Sequence, residues 1–77
     1  MQITVEFIGN LNQGPYDRIS VFEIKEDTSV ASFLETLHFK KPQIKFIQVI
    51  VDGKIIHHSR VLCDGDLIKL TVPSGGG

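Results

Sequence analysis

A single helical stripe interrupts a chain whose other apolar residues mostly follow strand periodicity. Between residues 27 and 39 the apolar positions recur at i, i+3, i+4 and i+7, namely Val30, Phe33, Leu34 and Leu37. That spacing forms one face of an α-helix. One apolar helix face has to be covered by another apolar layer, and the strand-like segments can supply a sheet for it. The chain is therefore predicted to be a two-layer α+β domain.

The predicted helix covers residues 27–39. Asp27 or Thr28 is expected to cap its first N–H groups, since short polar side chains accept these hydrogen bonds. The helix is expected to end before Lys40, because Pro42 disfavours helical geometry at the residue that precedes it.

Five segments carry the β-branched and alternating pattern of strands. They cover residues 1–8, 18–25, 46–51, 54–56 and 67–72. The first two are predicted to form an antiparallel hairpin, and Asp52-Gly53 predicts a tight turn between the third and fourth. Pro73 ends the last strand because it has no N–H to donate. The helix crossover allows the first and last strands to pair in parallel.

The length and composition narrow the class of protein. Seventy-seven residues are enough for one domain, expected over residues 1–73, with residues 74–77 as a flexible tail. So short a chain has a thin core and little room for a deep substrate cavity, which favours a carrier, a modifier or a binding module over an enzyme. The net charge is -1, whereas a nucleic-acid binder commonly carries an excess of basic residues. No apolar run is long enough to span a membrane.

Two further sequence features indicate the cellular compartment. Cys63 is the only cysteine, so no internal disulfide can form, and this favours the cytoplasm. The strand pattern starts at Met1, and no signal peptide is expected.

Three consecutive glycines, residues 75–77, end the sequence. Glycine loses the most backbone entropy on ordering, so the run does not stabilise a fold. It can be an unstructured end or a remnant of cloning. Alternatively, a C-terminal carboxylate can become an acyl donor once it is activated, for example as an adenylate. Glycines then provide a thread without side chains that fits a narrow enzyme channel.

Several short motifs carry a resemblance to a known family. They are Val51-Asp52-Gly53-Lys54, Asp64-Gly65-Asp66 and the ending Val72-Pro73-Ser74-Gly75-Gly76-Gly77. With the order of elements, they resemble the ThiS/MoaD family of ubiquitin-like sulfur carriers over essentially the whole chain. The resemblance implies a β-grasp fold: a mixed four- to five-stranded sheet with one helix packed on one face.

The glycine ending can be aligned with the family's proline, two small residues and diglycine. Setting Pro73 on the family proline leaves Ser74 and Gly75 at the variable positions and Gly76-Gly77 on the diglycine. Gly77 is therefore expected to be the native end. If Gly77 were an addition, Gly76 would be the acceptor instead.

The resemblance implies a function in cofactor biosynthesis, of thiamine or molybdopterin type. A ubiquitin-activating-like adenylyltransferase would use ATP and Mg²⁺ to adenylate Gly77, with Gly76, Gly75 and Ser74 threaded into it. Sulfur from a donor such as a cysteine desulfurase would then give a thiocarboxylate for a downstream synthase, of which the chain could be a small subunit. The chain itself would bind no cofactor or metal and perform no catalysis, and neither nucleic acid nor membrane is an expected partner.

Two other functions remain open. A ubiquitin-like protein modifier would use the same activated glycine but form an isopeptide bond with lysine. A β-grasp binding module would dock a partner without any covalent chemistry.

The outer face of the sheet beside the tail is the expected docking surface. Strand alternation turns Ile50 away from its apolar neighbours and turns Lys69 and Thr71 the same way. Phe7, at the end of its strand, is expected to be partly exposed. These four residues are the predicted contacts with the activating partner.

Other reactive residue types receive structural interpretations. Cys63 is expected to behave as a small buried hydrophobe rather than a reactive thiol. His57 and His58 are expected in a solvated loop, because adjacent residues of an extended segment point in opposite directions. Asp64 and Asp66 flank Gly65 and are expected to serve turn formation.

Overall fold

The computed structural model describes residues 1–73, which form five strands and two short helices. In chain order the elements are β1 (Gln2–Phe7), β2 (Ile19–Glu23), α1 (Val30–Glu35), α2 (Lys41–Ile44), β3 (Gln48–Val51), β4 (Lys54–Ile56) and β5 (Leu67–Thr71). The strands lie in one sheet in the order β2-β1-β5-β3-β4. Only the central β1–β5 pair is parallel. The predicted α+β, β-grasp architecture is confirmed, with five strands and two helices in place of the one expected.

The core lies between the sheet and the helices, as the sequence periodicities predict. Alternate residues of the strands face inward and are almost fully buried: Ile3, Val5, Val49, Ile68 and Leu70. The helical stripe meets them, since Val30, Phe33, Leu34 and Leu37 are also buried. Phe33 of α1 packs edge-on against Phe22 of β2, with the ring centroids 5.3 Å apart.

Helix α1 is shorter than predicted at both ends. Its N-cap is Ser29, whose hydroxyl accepts from the Ser32 N–H at 3.1 Å, so the prediction of Asp27 or Thr28 is wrong. The reason is tertiary: the Thr28 carbonyl accepts from the Leu62 N–H at 2.8 Å, and Ser29 forms a bridge with Val61. These contacts hold the approach to the helix extended.

The C-terminal end of α1 is set by local hydrogen bonds. Thr36 is the C-cap residue, and its hydroxyl donates to the Phe33 carbonyl at 2.6 Å. The Leu37 N–H donates to the Leu34 carbonyl at 3.1 Å, so the chain tightens into a final turn that keeps Leu37 in the core.

Helix α2 was not predicted, because Pro42 was interpreted only as a helix-ending residue. Pro42 instead occupies the first turn of α2, where its missing N–H has no intrahelical partner to lose. Gln43 completes the start of the helix by accepting from the Lys40 N–H at 3.1 Å. The turn that ends α2 continues through Phe46, whose N–H donates to the Gln43 carbonyl at 3.0 Å. Strand β3 therefore begins at Gln48 rather than at Phe46 as predicted.

The β3–β4 hairpin forms as predicted. Asp52 and Gly53 both have positive φ, 53° and 77°, as a two-residue type I′ turn requires. Val51 and Lys54 close the turn as paired residues. The turn thereby fixes the register that brings Ile55 opposite Ile50.

Candidate functional site

The C-terminal segment leaves the domain from the middle of the sheet. β5 is the central strand, held between β1 and β3, and it ends at Thr71, two residues before Pro73. Ser74, Gly75, Gly76 and Gly77 lie outside the described residues, so their predicted roles remain predictions.

The sheet has an open face on the side opposite the helices. Pairing across the strands gives its outward positions: Gln2, Thr4, Glu6, Ile19, Val21, Glu23, Gln48, Ile50, Ile55, Leu67, Lys69 and Thr71. The half of this face on β3, β4 and β5 adjoins the end of β5. It is the part nearest to the start of the C-terminal segment.

Three of the four predicted docking residues lie together on that half. Ile50 pairs with Lys69, and Thr71 pairs with Gln48 in the same β3–β5 ladder. Lys69 is exposed, while Ile50 and Thr71 are half-buried. The predicted outward orientation of these side chains is confirmed. Their role in docking is a separate prediction.

Phe7 does not belong to this surface, and the prediction that it is partly exposed is wrong. Only 2% of Phe7 is exposed. Phe7 points to the same inner face of β1 as Ile3 and Val5. Its ring stacks against Tyr16 with the centroids 6.1 Å apart. Together with His38, whose ring centroid lies 6.3 Å from that of Phe7, Tyr16 covers Phe7 on the inner face of the sheet.

Sequence reasoning missed two large apolar residues near this surface. Ile55 is 64% exposed and lies opposite Ile50. Phe46 is 62% exposed just before β3, with the Lys45 ammonium 5.4 Å from the centre of its ring. Ile55 could have been found from the two-residue turn, which fixes the hairpin register. Phe46 could not, because helix α2 determines its position.

A second apolar group lies around Thr4 on the open face and spans β2, β1 and the start of β5. Ile19 and Val21 of β2 are 58% and 61% exposed, and Leu67 of β5 is 49% exposed. Val21 and Leu67 lie on either side of Thr4 in the sheet, and Glu6 and Lys69 are paired between the two apolar groups. The open face therefore has two apolar areas separated by a charged pair.

The polar loop between β4 and β5 is used for structure. His57 Nδ1 lies 2.7 Å from the Ser59 hydroxyl, and His58 Nε2 lies 2.7 Å from the Ile47 carbonyl oxygen. The two imidazoles thus engage different parts of the fold. Among residues 1–73 there is no group of three or more His, Cys, Asp or Glu side chains that could hold a metal ion.

The sequence predictions for Cys63 and for its neighbours Asp64 and Asp66 have different outcomes. Asp66 accepts from the Cys63 N–H at 2.9 Å, which confirms the turn interpretation for Asp66. Asp64 instead accepts from the distant Gln2 N–H at 2.8 Å and ties the turn to β1. Cys63 is exposed, so its predicted burial is wrong. Its backbone is fixed by Asp66, and this turn directs the thiol to the surface.

Comparison with known proteins agrees with the geometry. The sequence profile of the ThiS family matches residues 5–77. No curated protein sequence matches the chain. No helix within residues 1–73 has the length and apolar character needed to cross a membrane.

Two solved structures share the fold over the full length of both chains. SAMP1 from Haloferax volcanii superposes with a TM-score of 0.71 at 15% sequence identity, covering 100% of each chain. A complex of subunits 1 and 2 of molybdopterin-converting factor from Helicobacter pylori 26695 contains a chain that superposes with a TM-score of 0.66 at 20% identity, again covering 100% of each. At these identities the likeness establishes the fold.

Proposed function

The chain belongs to the ThiS family, and on that premise we propose that it is a ubiquitin-like sulfur carrier whose Gly77 is converted to a thiocarboxylate. The observation that carries this proposal is the family match, which extends through the glycines to residue 77. The shared fold with a chain of the molybdopterin-converting factor complex supports a function exercised with a protein partner. In this proposal the chain is a carrier and a co-substrate, and its partners are the enzymes.

The chemistry requires an activated carboxylate. A C-terminal carboxyl group has a pKa of roughly 3.5 and is ionised at neutral pH, so it is a poor acyl donor. Attack of the Gly77 carboxylate on the α-phosphorus of ATP releases pyrophosphate and gives an acyl adenylate. Hydrosulfide then adds to the carbonyl carbon, AMP leaves with the C–O electron pair, and loss of a proton gives the thiocarboxylate. The adenylyltransferase holds ATP and Mg²⁺ throughout.

The half of the open face on β3, β4 and β5 is the proposed docking surface for that enzyme. Ile50, Ile55 and Lys69 form one row across the three strands. Thr71, opposite Gln48, flanks this row near the end of β5, and the exposed Phe46 precedes β3 by two residues. An apolar centre with a polar margin is the common composition of a protein interface. Docking here would leave Ser74, Gly75 and Gly76 to enter the active-site channel.

The experiment is an intact-mass measurement on protein prepared to end at Gly77. The protein is incubated with its adenylyltransferase, ATP, Mg²⁺ and sodium sulfide. The expected product is heavier by the difference between one sulfur and one oxygen atom, and fragmentation assigns the change to Gly77. Deletion of Gly77 is the control, which should abolish loading and leave the circular dichroism spectrum unchanged.

Other outcomes would point to other functions. A stable adduct between Gly77 and a lysine of another protein would favour a ubiquitin-like modifier. An unchanged mass with an enzyme that is active on a known carrier would favour a non-covalent binding module. Loading that persists after deletion of Gly77 would contradict the assignment of the acceptor.

The proposed destination of the sulfur is cofactor biosynthesis of the thiamine or molybdopterin type. The loaded protein is offered in parallel to a thiazole-forming synthase and to a molybdopterin synthase large subunit, with a cysteine desulfurase regenerating the sulfur. Turnover with only one of them identifies the pathway. Turnover with neither would contradict this assignment, even if loading of Gly77 succeeds.

A further inference from the structure

The outer edge of β2 is a feature that sulfur carriage does not use. β2 is an end strand of the sheet. The Ile24 N–H donates to the Met1 carbonyl, and the Arg18 carbonyl accepts from the Phe7 N–H, both at 2.8 Å. Bonded positions alternate along an antiparallel strand, so the even-numbered residues of β2 point their backbone groups toward β1.

The odd-numbered residues of β2 therefore direct their backbone N–H and C=O groups away from the sheet. These are Ile19, Val21 and Glu23, and residues 1–73 provide no hydrogen-bond partner for them. Ile19 and Val21 are also among the most exposed apolar side chains, at 58% and 61%. An uncovered edge with β-branched residues is a template for pairing with another strand.

Space for an added strand exists beside this edge. A groove of about 430 Å³ lies between β2 and α1. Ile24 and Phe33 line it together with the side chains of Thr28, Ser32 and Thr36. The added strand could thus bond to the backbone of β2 and run along the open side of this groove.

We propose that the occupant is β2 of a second copy of this chain, paired antiparallel about a two-fold axis at Val21. Charge complementarity selects this partner and this register. With Val21 opposite Val21, Ile19 lies opposite Glu23, and the Asp17 end of each strand lies opposite the Lys25 end of the other. The two-fold axis produces this attractive pair twice.

The neighbouring registers are unfavourable. Outward-pointing backbone groups can bond only to outward-pointing groups, so the register can change only in steps of two residues. One step places Asp17 opposite Glu23, and like charges directly opposite each other are destabilising. A step the other way moves Asp17 past Lys25 toward Asp27, which has a φ of 63° and lies beyond the extended strand, so the attractive pair is lost. The register centred on Val21 is the one that keeps this pair.

The resulting association is weak and reversible. A single five-residue strand and its groove bury less than the roughly 1,200 Å² of a standard stable interface. The pairing leaves the β3, β4 and β5 half of the open face uncovered and does not depend on the proposed function of Gly77.

Sedimentation velocity at low salt, from about 10 μM to about 1 mM protein, tests the proposal. We expect a monomer–dimer equilibrium. Lys25→Glu should raise its dissociation constant roughly tenfold, because Asp17 of each copy would then lie opposite the Glu of the other copy. The double variant Asp17→Lys/Lys25→Glu restores an attractive pair and should recover the association. Lys54→Glu makes the same charge reversal on β4, the other end strand, and should change nothing.

Hydrogen exchange identifies the surface directly. The Val21 amide should exchange more slowly as the protein concentration rises, while the Phe22 amide, already bonded to β1, should not respond. A protein that stays monomeric up to about 1 mM would overturn the proposal. So would a dimer that Lys25→Glu leaves intact, or one that Ile55→Lys abolishes instead, since the open face would then carry the association.

Discussion

At the residue scale, the most constrained position is the contact between Gly14 and His38. Gly14 has a φ of +59°, and a Cβ atom there would lie 2.6 Å from Cγ of His38. The His38 ring packs in turn against Tyr16 and Phe39, with centroids 5.8 and 4.1 Å away. The imidazole therefore has little room to move aside.

Replacing Gly14 with alanine is expected to reduce the free energy of unfolding by about 2–4 kcal/mol, from left-handed strain plus the clash with His38. Gly53→Ala is the matched control, because φ there is +77° but no atom lies within 4 Å of the added Cβ. The control should lose only about 1 kcal/mol. Urea unfolding of both proteins measures the difference, and equal losses would contradict the steric argument.

Ser29 supports a second residue-scale prediction. Its hydroxyl accepts from the Ser32 N–H, so Ser29→Ala should lower the free energy of unfolding by about 1 kcal/mol. Ser29→Asp keeps an acceptor at the cap and should stay close to the original stability. Thermal unfolding followed by circular dichroism compares the two, and similar behaviour of both variants would argue against capping.

At the element scale, α1 is stabilised by packing rather than by its own length. Six residues are too few for a helix that is stable alone in water. What holds α1 is the burial of its apolar face against the sheet, together with the bridge between Ser29 and Val61. The predicted helix was longer because periodicity reports the buried face, which extends to Leu37 beyond the last helical residue.

Leu34→Ala tests this dependence on packing. Leu34 is 0% exposed, and its truncation should decrease the free energy of unfolding by about 2–5 kcal/mol through lost burial and a residual cavity. Ile55→Ala removes a side chain of the same size from a position that is 64% exposed, and should lose less than about 1 kcal/mol. Denaturant midpoints measure both, and a small loss at Leu34 would mean that α1 contributes little to the core.

At the scale of the whole molecule, the two halves of the open face adjoin different proposed interaction surfaces. The half on β3, β4 and β5 adjoins the end of the central strand, and the half on β2 adjoins the free edge. Glu6 and Lys69 are paired between them. Variants in one half should therefore leave the interactions of the other half unchanged.

Ile55→Lys is expected to raise the KM of the adenylyltransferase for this protein by roughly tenfold, because a central apolar contact is commonly worth more than 1 kcal/mol. Ile19→Lys makes the same change at a 58% exposed position of β2, in the other half of the open face, and should leave KM unchanged. Pyrophosphate release measured over a range of carrier concentrations gives KM. Equal effects of the two variants would argue against a localised docking surface.

The sequence alone determined the order of the five strands and α1, the type I′ hairpin and most of the core. These features follow from local rules: alternation selects Ile3, Val5, Ile68 and Leu70 for burial, and Asp52-Gly53 accepts the positive φ that the turn needs. The glycine ending and its surrounding motifs indicated the family in the same way, because a family match depends on the residues themselves. The outward orientation of Ile50, Lys69 and Thr71 also followed from alternation.

Only the tertiary structure decided which residues near the ends of elements are covered. Phe7 is covered because Tyr16 and His38 from other segments pack on its ring, and Cys63 is exposed because Asp66 fixes the turn around it. Ser29 rather than Asp27 caps α1 because a distant loop holds the preceding residue extended. Burial and capping at such positions depend on neighbours that are remote in sequence, and local periodicity does not identify those neighbours.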